Sequence, residues 1–151
     1  MKIAHILVAT DLSQEATRCI APVAGLARSN GARITLLHVA ETLESIPRGA
    51  ATAPPLVRPI DEDDAAAART QLEERRMLFG TGLQVDTVML AGGDPATVIS
   101  EWAESHDVDL IAVATHGRTG FRRLALGSVT EALVRRSRTP VLVLPRPKGS
   151  E

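Results

Sequence analysis

The chain reads Leu110-Ile-Ala-Val-Ala-Thr-His-Gly117 and, after nine further residues, Gly127-Ser128. The apolar run at the start of this stretch predicts a buried strand, and residues 129–138 predict a helix. Gly127 has no Cβ, so its backbone allows an anion to come close. The positive end of the helix dipole points to the same place. The stretch therefore predicts a strand, a glycine-marked loop and a helix arranged as a phosphate cradle.

Strand and helix patterns alternate along the rest of the chain. Short apolar runs predict strands over residues 3–9, 33–39, 83–90, 109–114 and 141–144. Helical spacing follows Ser13 and Asp94, which are suitable N-caps, and the acidic run 61–64, whose charge favours a helix N-terminus. Residues 43–60 hold four prolines and predict a loop or lid. Five strands and four helices predict one α/β domain, residues 1–151, with a doubly wound parallel sheet covered by helices on both faces.

Local signals indicate where individual helices begin and end. The segment Ser128-Val-Thr-Glu131 fits a capping box, in which Ser128 caps the last helix and Glu131 reaches back to it. Pro22 lies inside the helical pattern of residues 16–27 and predicts a kink there. Gly31, after Asn30, predicts the end of that first helix.

The composition limits the classes of protein to consider. The 151 residues fit one domain, and a net charge of −1 provides no general attraction to nucleic acid or to an anionic membrane. The three aromatic residues, Phe79, Trp102 and Phe121, are too far apart in sequence to indicate a base-stacking surface. Cys19, the only cysteine, predicts a small buried side chain and no internal disulfide. Since no apolar run is long enough for a membrane span and no signal-peptide pattern is present, we expect a soluble cytoplasmic protein.

Several segments resemble one protein family. The nucleotide-binding signature of the universal stress proteins is Gly, two residues, Gly, nine residues, Gly, then Ser or Thr, and Gly117, Gly127 and Ser128 match it. Ala114 stands where the signature has its first glycine. Three further segments are similar to the family: Ile-Leu-Val-Ala-Thr-Asp at 6–11, Leu-Leu-His-Val at 36–39 and Thr-Pro-Val-Leu-Val-Leu at 139–144. The resemblance covers nearly the whole chain.

This resemblance implies a fold, a ligand and an assembly. The implied fold is Rossmann-like, of the adenine nucleotide alpha hydrolase type, with strand order 3-2-1-4-5. In such a sheet a ligand binds beyond the carboxyl ends of the first and fourth strands, where the winding reverses. The implied ligand is ATP, expected with Mg²⁺ bridging its phosphate oxygens. The implied assembly is a homodimer in which Val141–Leu144 pairs with its copy in the second subunit.

The resemblance also assigns roles to residues near that crevice. Asp11 contacts the nucleoside, Ala9 and Val39 line the adenine pocket, and the matched glycines and serine hold the phosphates. The candidate nucleotide-binding residues are Ala9, Thr10, Asp11, Val39, Ala114, His116, Gly117, Arg118, Gly127, Ser128 and Val129. Taken singly, each has an ordinary explanation, as a turn glycine, a core residue, a capping carboxylate or a solvated loop residue. His116 is expected to have a structural role in its loop, and His38 to be a satisfied histidine rather than a metal ligand.

The resulting prediction is an ATP-binding stress-response protein that acts as a binding module or switch with an unidentified protein partner. No residue is predicted to be catalytic or to bind a metal. Slow ATP hydrolysis or none is expected, because the chain has no Gly-x-x-x-x-Gly-Lys-Ser/Thr phosphate loop. Two alternatives stay open: a nucleotide-free dimer that acts through protein interactions, and a weak ATP hydrolase or phosphotransferase that uses Asp11 or His116.

Overall fold

The structure, a computed structural model, describes residues 1–40, 44–45, 56–57, 61–115 and 126–145. The five predicted strands and the helices between them are present, and two additional two-residue strands lie within the predicted loop or lid. The strands are β1 (His5–Ala9), β2 (Arg33–Ala40), β3 (Glu44–Ser45), β4 (Leu56–Val57), β5 (Val85–Ala91), β6 (Leu110–Ala114) and β7 (Val141–Leu144). The helices are α1 (Gln14–Thr17), α2 (Ile20–Asn30), α3 (Glu62–Met77), α4 (Pro95–Ser105) and α5 (Ser128–Arg136).

Five of the strands form one parallel sheet in the order β5-β2-β1-β6-β7. Counting only these five along the chain, the order is 3-2-1-4-5, as expected. β1 lies at the centre, with Ala9 opposite Leu37 of β2 and Val8 opposite Ala112 of β6. Because the winding reverses between β1 and β6, their carboxyl ends form the topological switch point of the sheet.

The core lies on both faces of this sheet, because successive residues of a strand point to opposite faces. On one face, Ile6 of β1 belongs to a cluster that includes residues of α2 and α3, together with Phe79 just beyond α3. On the other face, Leu7 of β1 packs in a cluster with Ile99 of α4 and Leu133 of α5. The sheet is therefore doubly wound, with helices on both faces, and this prediction is confirmed.

The first helix is interrupted where Pro22 predicts a kink. It is divided into α1 and α2, with Arg18 and Cys19 between them, and Pro22 lies in the first turn of α2. Arg18 is the residue four positions before Pro22, whose carbonyl a proline can neither bond nor pack against. The interruption divides the predicted single helix in two. The predicted end is confirmed at Gly31, whose φ of 64° is in the left-handed region that glycine adopts readily.

Three further expectations can be compared with the described residues. Most of the predicted loop or lid, residues 43–60, lies outside them, and the two-residue strands β3 and β4 pair antiparallel within it. Cys19 is buried as expected, and burial, together with nearby Asp11, raises the pKa of its thiol to about 11. Among the helices that the structure describes, none has the length and apolar character needed to cross a membrane.

His5, at the amino end of β1, is a buried titratable side chain. Its Nδ1 donates to the carbonyl of His106 at 3.1 Å, and its Nε2 accepts from the hydroxyl of Thr35 at 2.8 Å. Burial lowers the pKa of His5 below its usual value of 6.5, and Arg33 lowers it further, whereas nearby carbonyls and Asp109 act in the opposite direction. The folded protein therefore favours the neutral ring.

We expect the free energy of unfolding to fall as the pH drops below about 6.5, because the unfolded chain then protonates His5 before the folded protein does. Above that pH both states hold a neutral ring and the contribution is constant. Urea unfolding at about pH 7.5 and about pH 5.5, compared between the wild type and His5→Gln, measures the effect. The wild type should lose more stability across this range than the variant, and equal losses would contradict the prediction.

Candidate functional site

Two neighbouring strands end at the switch point. β1 ends at Ala9 and β6 ends at Ala114, while β2 continues on the other side of β1 as far as Ala40. The backbone N–H of Thr10 donates to the carbonyl of Leu37 at 2.9 Å, so the pairing of β1 with β2 extends one residue beyond Ala9. The carboxyl ends of β1 and β6 thus lie side by side, at the edge where open α/β sheets bind ligands.

Three of the predicted residues are apolar and belong to one cluster, and they are here called the apolar wall. Ala9 of β1, Val39 of β2 and Val129 of α5 belong to the same cluster, on the sheet face that α4 and α5 cover. Val39 is buried, whereas Ala9 and Val129 are partly exposed. The fold therefore brings together residues that are far apart in sequence. Such a wall is suited to one face of a flat apolar group such as a nucleobase.

Residues 10–13, here called the 10–13 loop, turn the chain after β1. The hydroxyl oxygen of Thr10 accepts the N–H of Leu12 at 3.0 Å, and Oδ1 of Asp11 accepts the N–H of Ser13 at 3.0 Å. Ser13 then caps α1 by accepting the N–H of Ala16 at 3.1 Å, as predicted. The Asp11 carboxylate is consequently held at the strand end by its own loop, and Thr10 supports that loop from a buried position.

Two hydrogen bonds attach the N-terminus of α5 to the end of β6. The N–H of Gly127 donates to the carbonyl of Thr115 at 2.8 Å, and the hydroxyl of Thr130 donates to the carbonyl of Ala114 at 2.8 Å. Gly127 is the N-cap and provides no side-chain cap. Helix geometry leaves the N–H groups of the first turn, beginning with Ser128, without intrahelical acceptors. Together with the helix dipole, these groups favour an anion at this end of α5.

The predicted capping box is wrong. α5 begins at Ser128, one residue earlier than expected, so Ser128 occupies the first helical position rather than the N-cap. The carbonyl of Gly127 accepts the N–H of Glu131 at 2.8 Å, which makes Gly127 the N-cap. The Glu131 carboxylate pairs instead with Arg135, one turn further along the helix, at 2.9 Å. The Ser128 side chain is exposed at the helix N-terminus, which leaves it accessible to a ligand.

Two supporting side chains have contacts that the sequence did not predict. Thr130, which is buried, fixes α5 to β6, and a threonine inside a helix gives no signal of such a role. His38 donates from Nδ1 to the carbonyl of Thr10 at 2.8 Å, so it is a satisfied histidine, as expected, but with a specific partner in the 10–13 loop. Within the described part of the chain, no group of three or more His, Cys, Asp or Glu side chains is arranged to hold a metal.

The remaining candidates concern the loop after β6. His116, Gly117 and Arg118 lie outside the described residues. Ala114 is the last residue of β6, and among the described non-glycine residues only Leu12 and Asp107 have a positive φ. An alanine at position 114 is therefore under no backbone strain, and its replacement of a signature glycine is compatible with this fold.

Comparisons with known sequences agree on one family. A model of the universal stress protein family matches residues 2–145. Universal stress protein MJ0531 of Methanocaldococcus jannaschii is 29% identical over 143 residues, which cover 95% of this chain and 82% of that protein. Universal stress protein MJ0577 of the same organism is 29% identical over 153 residues, covering 93% of this chain and 94% of its own length.

Solved structures share the fold over almost the whole chain. The structure of hypothetical protein MJ0577 has a TM-score of 0.76 at 25% identity and covers 99% of this chain and 100% of its own. A universal stress protein from Archaeoglobus fulgidus in complex with dAMP has a TM-score of 0.68 at 22% identity, covering 95% and 98%. A universal stress protein in complex with cAMP has a TM-score of 0.66 at 20% identity, also covering 95% and 98%.

Proposed function

The chain belongs to the universal stress protein family, and on that premise we propose that it binds ATP at the switch point between β1 and β6. In this proposal, ATP binding orders the crevice, and a protein partner recognises the ordered surface as part of a stress response. The similar structures solved with dAMP and with cAMP support an adenine nucleotide as the class of ligand.

The attachment of α5 to β6 is the main observation that supports the proposal. The hydrogen bonds from Gly127 and Thr130 fix a helix N-terminus against the end of one strand. The Asp11 carboxylate is held at the end of the neighbouring strand. A helix N-terminus favours phosphate, and a carboxylate accepts hydrogen bonds from ribose hydroxyls. The two groups at one switch point therefore suit the two polar parts of a nucleotide.

Each part of the ATP molecule is assigned to a set of residues. The phosphates go to Gly127 and Ser128, together with the loop of His116, Gly117 and Arg118 and the adjoining Ala114. The ribose goes to Asp11, and the adenine to the apolar wall of Ala9, Val39 and Val129. Mg²⁺ binds with the phosphates, since this ion prefers oxygen ligands and keeps several waters.

We expect little or no ATP hydrolysis at this site. Oδ1 of Asp11 already accepts the N–H of Ser13, so the carboxylate has a structural role in the loop. A phosphoryl transfer enzyme needs a group that orients the attacking nucleophile and cations that stabilise the transition state. A switch needs only a difference in ATP affinity between two conformations. The binding function is therefore favoured over the weak hydrolase or phosphotransferase.

We also propose that the protein is a homodimer through β7. β7 lies at one edge of the sheet, and within the described residues it pairs with β6 alone. All four of its residues, Val141–Leu144, are apolar and partly exposed. An exposed apolar edge strand is stabilised by pairing with a second copy, which removes the unpaired edge.

Release of bound nucleotide tests the proposed function most directly. Freshly purified protein is denatured, the supernatant is analysed by mass spectrometry, and emptied protein is titrated with ATP and Mg²⁺. We expect ATP or ADP in near-stoichiometric amount and saturable rebinding. Absence of both would favour the nucleotide-free dimer, and the mass of the same preparation in solution tests the dimer separately. A cytoplasmic location stays a prediction.

A further inference from the structure

The 10–13 loop contains a strained residue. Leu12 has a φ of 64°, in the left-handed region that residues with a bulky side chain rarely adopt. Its side chain is buried, so the strained residue is also fixed in the core. Such a conformation persists only where the surrounding structure holds it. The loop therefore depends on contacts from other elements.

Two side chains from other elements provide such contacts. Nδ1 of His38, on β2, donates to the carbonyl of Thr10 at 2.8 Å. Nη2 of Arg75, on α3, donates to the carbonyl of Leu12 at 2.6 Å. These carbonyls belong to the residues on either side of Asp11. The backbone is thus held both before and after the carboxylate that we assign to the ribose.

Arg75 is held by its own helix while it contacts the loop. Its Nη1 donates to the carbonyl of Gln71, one turn earlier in α3, at 3.2 Å. The guanidinium therefore links α3 to the carbonyl of Leu12, to which its Nη2 donates.

We propose that His38 and Arg75 are positioning residues that hold the 10–13 loop in the conformation that binds the nucleoside. The inference rests on the ATP-binding function proposed above and deepens it. Neither side chain is assigned a contact with the nucleotide, because both act through the backbone on either side of Asp11. A preformed loop loses less conformational freedom on binding, so the two residues raise the affinity for ATP.

Matched substitutions test this role. Arg75→Met removes the donor but keeps an apolar side chain, and Arg75→Lys restores a cationic donor. Arg76→Met is the control, because Arg76 is the next residue on α3 and pairs with Glu73 of the same helix. His38→Leu and His38→Asn form the second pair, since asparagine places an N–H donor near the position of Nδ1 and leucine has none.

ATP titration by calorimetry, with Mg²⁺ present, is the first readout. We expect about tenfold weaker binding for Arg75→Met and for His38→Leu, through the loss of preorganisation. Arg75→Lys and His38→Asn should recover part of the affinity, and Arg76→Met should match the wild type. If the wild type binds ATP and Arg75→Met binds as well as Arg76→Met, the inference is overturned. If the wild type does not bind ATP, the proposed function fails instead.

Amide hydrogen exchange in the nucleotide-free protein is the second readout. The N–H groups of Leu12 and Ser13 donate to side chains inside the loop, so their exchange reports on its order. Exchange at these two amides should accelerate in Arg75→Met and His38→Leu, while amides of β1 stay protected. Faster exchange with unchanged ATP affinity would also refute the positioning role. If the amides of β1 also exchange faster, the variant is destabilised throughout. The ATP affinities of Arg75→Lys and His38→Asn then test the positioning role.

Discussion

Replacing Gly127 by valine is expected to weaken ATP binding by about 100-fold, or roughly 2.7 kcal/mol, with little change in the stability of the fold. Gly127 has φ −59° and ψ 152°, an extended conformation that any L-residue adopts. A poorer N-cap at this position lowers the stability by about 1 kcal/mol. If the phosphates bind as proposed, the branched side chain fills the space through which they approach the N–H groups of the first turn of α5.

Calorimetric titration and urea unfolding measure these two effects separately. Gly25→Val is the matched control, because Gly25 is exposed on α2 and an added Cβ there would meet no neighbouring atom within 4 Å. This control should raise helix stability slightly, because valine has a higher helix propensity than glycine, and leave the ATP affinity unchanged. Wild-type affinity in Gly127→Val would contradict the placement of the phosphates at the N-terminus of α5.

The sheet with helices on both faces was predictable from the sequence, because the positions of the apolar residues determine which faces are buried. The continuous run Leu110–Ala114 is typical of a central strand of a parallel sheet, which is buried on both faces. In the structure, Ile111 packs in the cluster on the α4 and α5 face, and Ala112 in the cluster on the opposite face. The strand order, however, came from the family resemblance. Nothing in the residues of β5 specifies that this strand pairs with β2, since that choice depends on contacts distant in sequence.

The details of the candidate site were less predictable, because they depend on contacts that a local pattern does not contain. The N-cap is Gly127 rather than Ser128 because the carbonyl of Gly127 accepts the N–H of Glu131, while the N–H of Gly127 is held by the carbonyl of Thr115, just after β6. The contact between Arg75 and Leu12 spans 63 positions of the sequence. A leucine at position 12 gives no indication of a left-handed backbone. Candidate residues were thus accessible from the sequence, whereas the groups that position them were not.

Ile34→Ala is expected to lower the free energy of unfolding by about 2–5 kcal/mol without weakening ATP binding. Ile34 is completely buried in the cluster that includes residues of α2 and α3, so the substitution removes apolar contacts and leaves a cavity. Ile34→Val should lower the stability by only about 0.5–1.5 kcal/mol. Because Val39 lies five positions after Ile34 on β2, the cavity lies roughly 16 Å from the candidate adenine pocket.

Ile34→Ala and Gly127→Val should therefore give opposite patterns when each is unfolded with and without ATP and Mg²⁺. A ligand that binds only the folded state stabilises it by about 2.7 kcal/mol at 100 times its dissociation constant. ATP and Mg²⁺ should stabilise Ile34→Ala by this full amount, although its ligand-free stability is lower than that of the wild type. Gly127→Val should lose most of it at the same ATP concentration, although its ligand-free stability is close to that of the wild type. If Ile34→Ala also lost the increment, ATP binding would depend on packing at the amino end of β2, and the site would extend through the strand rather than end at the switch point.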